Sequence, residues 1–419
     1  MPLDKTGFFN HSTFTKFKTI FGIFNTFILF FYLPLILIIV LIYPFYKIRF
    51  GQIYTKTLGN SVLSTEILFY ELKKNDCFVK SRGINIWCTH KIISNKFWLK
   101  KIKSKLIILP GILVFPIFNF FKYFNFGKSF LIPERDLESS KNPHKIKSIE
   151  DLAQNCDIHG VLIENPPLIK FDVNEASIGN SFLMKNKILM DDKIICIHTR
   201  TSSYRNEKSV STRNSSIENF EKTINFLTDK GFKVIRMGRD EKQPFNTNNK
   251  NFFDYSACSE QNDFLDFFII SKCIFFIGAT SGLAHIAKIF RKPILYHNMF
   301  HLPDMIHFDG NYEKIILPKK IYLNNLNEYM RYKKTFEKNY KKPKAENKLE
   351  FSNIKIVENT EEEIYFATKE MYDLIIKKKD FNLSQKNFYD NFEKFYKNPL
   401  VKKTMISEKF YLENIELFT

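Results

Sequence analysis

Three short clusters in the chain combine arginine, histidine, hydroxyls and small residues in ways that suit a phosphorylated ligand. They are His198-Thr199-Arg200, Arg236 to Arg239, and Gly278-Ala279-Thr280-Ser281-Gly282 running on to His285. A guanidinium such as that of Arg200 binds phosphate oxygens in pairs, with a surface salt bridge as the plain alternative. Small residues at Thr280, Ser281 and Gly282 let backbone amides approach an anion, and a helix start favours negative charge there. The cluster is neither a Walker A nor a GxGxxG motif, and an ordinary tight turn fits it equally. His198 can orient a phosphate or move a proton, and a structural histidine fits as well. Arg213 and Asn214 open the next helical region, and Gly238 lies inside the second cluster. Asp254-Tyr255 closes a short apolar run, which makes Asp254 a ligand or base candidate, whereas Asp263 matches a helix start. No Asp-x-Asp pair stands at a strand end and no His/Cys group has metal-ligand spacing, so a site with no metal and no cofactor is the simpler expectation.

The elements that must position these clusters alternate in type. Apolar strands are read over 193–197 (KIICI), 232–237 (FKVIRM), 252–255, 273–277 (CIFFI) and 293–296. Helices lie between them over 216–230, 263–271 and 283–290, the first closed by Gly231. Such a pattern predicts a doubly wound parallel sheet, in which ligands bind beyond the carboxyl ends of the strands. All three clusters fall at those ends. Nearer the start, 49–54 (RFGQIY) reads as a strand, followed by a turn holding Gly59 and Asn60 and a helix through Glu71. That turn either opens its amides to a ligand or is an ordinary β–α connection. Residues 84–88 form another strand and 89–105 a basic helix. Pro133, Pro143, Pro166 and Pro167 mark loops, and a domain boundary is placed near 180–192. Beyond the sheet, 361–377 is a helix with acids in its first turn, and 382–419 is aromatic-rich and partly helical.

Residues 20–46 contain no charged side chain and would form a helix of roughly 40 Å, against a hydrocarbon core of about 30 Å. They predict a retained N-terminal membrane helix, as a single span or, given Pro34 and similar basic flanks, a re-entrant hairpin. A shorter apolar stretch, 106–121 (LIILPGILVFPIFNFF), is either an interfacial segment or a core strand and turn. The chain carries 63 Lys+Arg against 44 Asp+Glu, a formal charge of +19. Two stretches hold most of the excess, 47–105 and 319–348. The first follows the apolar segment, where a basic residue near an anionic leaflet is worth about 1 kcal/mol. Membrane lipids are therefore expected partners, and nucleic acid is not, because no recognised binding module is present. Six scattered cysteines without a CxxC exclude a disulfide framework or zinc ribbon. A hydrophobic content of 44% excludes wholesale disorder.

The order HTR, YRN, RNSSIENF, GFKVIRMG, FFDYS, FLDFF, CIFFIGATSGLAHIA, KP and HN resembles a family of bacterial glycosyltransferases of the two-domain GT-B architecture. RFGQIYTKTLGNSVLSTE upstream, and ILPKK and NTEEEIYFATKEMYDL downstream, are similar to the same family. The match covers roughly 49–376 and is most specific over 193–300. More distantly, the H-x-R strand resembles fucosyltransferases and SGLAHIA resembles heptosyltransferases. The resemblance implies an α/β fold with two Rossmann-like domains built on doubly wound parallel sheets. With the membrane helix added, the expected division is 1–48 (tail and anchor), 49–190 (acceptor-side domain), 191–345 (nucleotide-sugar domain) and 346–419 (helical tail). It also implies that Arg200, Ser281 and Gly282 hold a donor diphosphate, that Asp254 and Tyr255 lie near the base or ribose, and that Gly59 and Asn60 face the cleft. Thr201 stands where the family usually has Asp, and Asn60 where it usually has His. The expected function is a membrane-associated transferase moving a sugar from a nucleotide-diphosphate donor to a lipid-linked or surface-polysaccharide acceptor. It would work at the cytoplasmic face of a bacterial inner membrane, with Arg200 stabilising the departing diphosphate and His198 as candidate base. The competing reading is a catalytically inactive, membrane-bound sugar-nucleotide or glycan-binding scaffold.

Overall fold

Short continuous apolar runs settle into parallel strands here. The computed structural model describes residues 31–74, 83–132, 157, 160–201, 212–239, 244–300, 302, 313–337, 353–379 and 404–419. Five expectations lie wholly or partly outside these residues: the 20–30 part of the apolar segment, the loops marked by Pro133 and Pro143, the YRN motif, part of the 319–348 stretch and part of the tail. The chain divides into a first unit (1–56, 72–94, 99–134) and a second (57–71, 95–98, 135–419).

In chain order the first elements are α1 (31–42), β1 (Lys47–Ile53), α2 (Leu58–Lys74), β2 (Gly83–Thr89), α3 (Lys96–Lys103), β3 (Ile107–Ile108) and α4 (Gly111–Tyr123). Strands β1, β2 and β3 pair in parallel, which requires the crossovers that α2 and α3 provide. Gly51 of β1 is fixed by close approach, because a methyl group there would collide with the Trp87 ring on the paired strand. The core of the first unit joins Phe50 and Cys88 of the sheet to Ile36 and Ile39 of α1 and to Val114, Ile117, Phe118 and Phe121 of α4. Thus the stretch 106–121 becomes a two-residue strand and a helix. Pro110 sits at its N-cap, where its missing amide costs no intrahelical bond, and Pro116 lies inside.

The N-terminal membrane helix expected over 20–46 is corrected by the structure. Among the described residues no helix is long and apolar enough to cross a membrane. Over its described part the segment forms α1, a helix of about 18 Å, and then turns into β1. The physical reason is that an apolar run satisfies a protein core as readily as a bilayer. One side of α1 is spent on α4 and the sheet, with Ile36 and Ile39 buried.

The second unit continues with α5 (Val173–Lys185), β4 (Lys193–His198), α6 (Glu221–Asp229), β5 (Phe232–Arg236), β6 (Phe252–Asp254), α7 (Asp263–Lys272), β7 (Phe276–Gly278), α8 (Gly282–Ile289), β8 (Ile294–Met299) and β9 (Lys314–Pro318). A small antiparallel sheet follows, of β10 (Lys320–Leu323), β11 (Glu328–Tyr329) and β12 (Ile354–Val357), then α9 (Glu361–Ile376), β13 (Thr404–Ile406) and α10 (Glu408–Glu413). The main sheet has seven parallel strands in the order β13-β9-β8-β7-β4-β5-β6. Its central strands are apolar on both faces: Ile195, Cys196 and Ile197 of β4, and Phe276 and Ile277 of β7, are fully buried. Phe267, Phe268, Ile269 and Ile270 of α7 and Ile286 and Ile289 of α8 are buried as well. Burying one such side chain contributes about 1.5–3 kcal/mol. Helix ends follow local chemistry. Asp172 with Glu175 and Thr360 with Glu363 form capping boxes, and Gly231 takes φ +83 after α6. In the tail, the Glu370 carboxylate accepts from Ser407 Oγ (3.1 Å), Glu408 N (2.9 Å) and Lys409 N (3.0 Å), which fastens β13 and α10 to α9.

Candidate ligand site at the strand-order reversal

The chain enters the seven-stranded sheet at β4 and fills it outward through β5 and β6. It then returns to the other side of β4 with β7, β8 and β9. Connections therefore leave β4 and β7 in opposite directions, and their carboxyl ends border the crevice where open α/β sheets bind ligands. His198 and Gly278 are paired across this point. Thr199 and Arg200 follow β4 and are buried. Ala279, Thr280 and Ser281 follow β7, and the Ser281 hydroxyl caps α8 by accepting from Ala284 N at 3.4 Å. Arg213 Nη1 donates to Thr280 O (3.2 Å), and Ser215 N donates to Arg200 O (2.9 Å). These bonds draw 198–200, 213–215 and 278–282 together, so His198, Arg200, Arg213, Asn214, Thr280, Ser281 and Gly282 share one end of the sheet. Gly238 joins them at φ +157, where a methyl group would stand 3.9 Å from His198 Nδ1 and 3.0 Å from Ser256 Cβ.

Gly59 lies against the same turn, within the second unit. A methyl group on Gly59 would collide with His285 Nδ1 and come 3.2 Å from Gly282 Cα, and one on Gly282 would come 3.2 Å from Gly59 N. The first turns of α2 and α8 therefore meet glycine to glycine, with Asn60 partly buried one position further along α2. Each helix start carries about half a positive charge, so two that abut favour an anion beside them.

Electrostatics separates the neighbouring charged groups by role. His198 shares a hydrogen bond of 3.0 Å between Nδ1 and Met237 O, and His297 Nε2 donates to His198 O at 3.0 Å. Burial, with Arg200 and Arg236 nearby, lowers His198 to about 4. It is neutral at pH 7, and the Met237 carbonyl selects the tautomer with hydrogen on Nδ1, leaving Nε2 an acceptor. Arg236 and Arg239 are committed to carboxylates: Arg236 Nη1 donates to Asp254 Oδ2 (3.0 Å), and Arg239 Nη2 donates to Asp263 Oδ1 and Asp266 Oδ2 (both 2.6 Å). Asp254 also accepts from Phe245 N (2.9 Å) and Ser256 Oγ (2.5 Å), which occupies both its oxygens. Tyr255 is fully buried, with its hydroxyl 3.2 Å from Asp266 Oδ1. The structure thus places Asp254 and Tyr255 in a core network and gathers the other candidates at the reversal.

Sequence reasoning missed a buried polar layer behind this end. Asn298 N donates to Asn359 Oδ1 (2.6 Å), Asn359 N donates to Asn298 Oδ1 (2.8 Å), and Asn298 Nδ2 donates to His297 Nδ1 (3.1 Å). Asn298 takes φ +52, a conformation asparagine tolerates. Lys319, 3% exposed, donates from Nζ to Asn214 O at 2.7 Å, and burial lowers its pKa. The available signals were polar residues directly after apolar runs, HN after PILY and KK after ILP. Among the described residues no group of three or more His, Cys, Asp or Glu is placed to hold a metal ion.

No protein-family model matches the sequence, and no curated protein matches it in sequence. Solved structures do resemble it in fold. A glycosyl transferase family 9 protein from Veillonella parvula DSM 2008 is 13% identical over 79% of this chain and 98% of that one, with a TM-score of 0.46. The bacterial iron-containing dodecameric glycosyltransferase TibC from enterotoxigenic E. coli H10407 is 13% identical over 79% and 77%, with a TM-score of 0.40. E. coli ADP-heptose lps heptosyltransferase II is 11% identical over 59% and 85%, with a TM-score of 0.36. At such identities and TM-scores these likenesses carry no activity, ligand or site residue over to this chain.

Proposed function

We propose that the protein is a GT-B-type glycosyltransferase that moves a sugar from a nucleotide-diphosphate donor to a lipid-linked or surface-polysaccharide acceptor. We place the reaction at the cytoplasmic face of a bacterial membrane. The observation that supports this reading is the convergence, at the strand-order reversal, of Arg200 and Arg213 with two abutting helix starts. Transfer from such a donor breaks the bond between the sugar carbon and the diphosphate, and the diphosphate leaves with the electron pair. Guanidinium groups and helix-start amides stabilise that growing charge. His198 is neutral at pH 7, and an anion beside it would raise its affinity for a proton. The test is Arg200→Ala. Titration calorimetry with ADP, UDP and GDP should show at least a tenfold loss for whichever nucleotide binds, with thermal unfolding little changed; undiminished affinity would refute the site.

One observation favours the inactive-scaffold reading. A His198 held at about 4 is a poor proton acceptor for a sugar hydroxyl. Turnover on a panel of nucleotide sugars separates the two, since a scaffold binds its nucleotide without releasing free diphosphate nucleotide.

A further inference from the structure

The first unit presents an apolar face that its own core leaves uncovered. Helices α1 and α4 lie side by side and run in the same direction. Tyr32 Oη donates to Ile112 O (3.0 Å) at one end, and Tyr43 Oη donates to Ser129 O (2.6 Å) just past the other. Their inner sides share one core. Their outer sides expose Leu37, Leu41, Phe45, Ile112, Phe115 and Tyr123, with Leu41 72%, Ile112 77% and Tyr123 86% exposed. From 31 to 46 every exposed residue is apolar or tyrosine, without a single charge. Contiguous apolar surface of this kind marks an interaction site.

The charges around it identify the partner. Every Asp or Glu is missing from the described residues of the first unit, and its charged residues are all Lys or Arg. Lys122 and Lys128 flank the end of α4, and Lys47 and Arg49 follow α1 in β1. Lys122 lays its stem over the Phe118 ring with Nζ 5.7 Å from the centroid, a posture that carries the ammonium past an apolar surface. A second copy of the chain would bring two wholly basic units together, which like-charge repulsion opposes. Tyr46 and Tyr123 supply exposed amphipathic rings typical of a lipid–water boundary.

We infer that the outer face of α1 and α4 seats the first unit along the surface of an anionic phospholipid bilayer, in the plane of the headgroups and without crossing it. Apolar side chains enter the acyl boundary, and the lysines engage headgroup phosphates. The inference concerns the first unit by itself and holds whatever the second unit binds.

The test uses the full chain with vesicles of phosphatidylglycerol and phosphatidylethanolamine, and with phosphatidylcholine vesicles as the uncharged control. The chain should sediment with the first, and at least tenfold less with the second. The triple variant Leu37→Glu, Leu41→Glu, Ile112→Glu changes only exposed positions. It should keep its unfolding temperature and lose at least tenfold in affinity for anionic vesicles. The tryptophan introduced by Ile112→Trp should be quenched by brominated lipid. Unchanged vesicle binding by the triple variant, or an unquenched tryptophan in the vesicle-bound protein, overturns the inference. So does a triple variant that converts a dimer to a monomer in sedimentation without losing vesicle affinity, because the face would then belong to a second copy.

Discussion

Glu66 and Arg291 close an ion pair at 2.7 Å, with the carboxylate buried and the guanidinium partly so, although 225 positions separate them. Arg291 also donates to Leu162 O (2.7 Å) and Asn165 O (3.0 Å), and Leu168 N donates to the same Glu66 oxygen at 3.3 Å. The pair therefore ties α2, the 162–168 segment and the turn after α8 into one piece of the second unit. Burial raises Glu66 to about 7 despite the pull of the guanidinium.

The pair predicts a pH dependence of stability. Because its folded-state value lies above the ordinary carboxylate value, Glu66 binds more protons folded than unfolded between about 4.5 and about 7. Its contribution is complete below that window and is lost as pH rises through it. Glu66→Gln should flatten this slope in urea unfolding followed from pH 4.5 to 8. Arg291→Ala, which leaves the carboxylate buried alone, should cost about 3 kcal/mol at pH 8, and less at pH 5, where Glu66 is protonated.

The glycine contact between α2 and α8 predicts that Gly59→Ala pushes the two helix starts apart. Overpacking of this kind typically costs about 1–3 kcal/mol. Nucleotide affinity should fall together with the unfolding temperature, and Gly282→Ala should reproduce both effects. Gly231→Ala tests only the φ +83 turn after α6, where a methyl group meets nothing within 4 Å. It should lower stability and leave nucleotide affinity unchanged, as calorimetry and thermal unfolding of the three variants would show.

His198 should titrate near 4 in the free protein, as read by nitrogen NMR of its ring, and move upward when ADP or UDP is bound. Its folded value lies below the ordinary histidine value, so the stability it contributes is present above about 6.5 and is lost as pH falls through about 4. A resonance that ignores a bound nucleotide would place the diphosphate away from this strand end.

Lys319 should act on the ligand only through Asn214. Lys319→Met removes the bond to the Asn214 carbonyl while keeping the apolar stem. Nucleotide affinity should fall about threefold to tenfold, with the salt dependence of binding unchanged. A flattened salt dependence would mean that the ammonium itself meets the ligand.

The central strands were legible because each is a continuous apolar run set off by polar or small residues, and helix ends announced themselves through Gly231 and Ser281. The same logic put the site clusters at the carboxyl ends of β4 and β7, where the structure gathers them. Strands β3 and β13, of two and three residues, are not marked as strands by a longer apolar run, and only pairing with neighbours defines them. Asp254 and Tyr255 illustrate a second limit. Their types fit ligand contact, but their occupancy by Arg236, Ser256 and Asp266 is a property of distant partners. The apolar segment illustrates a third, since hydrophobicity alone does not say whether α1 meets lipid or the side of another helix.

The two outermost strands of the main sheet, β6 and β13, are each only three residues long. A sheet whose middle is made of runs such as CIFFI would, if its margins were long and bare, invite strands from neighbouring molecules to add on. Here each margin offers too few amides to template that growth, and Glu370 holds one of them shut. The apolar central strands of this sheet are thus confined to its interior, and loss of the residues around 404–409 would expose β9 as a new margin for polymerisation.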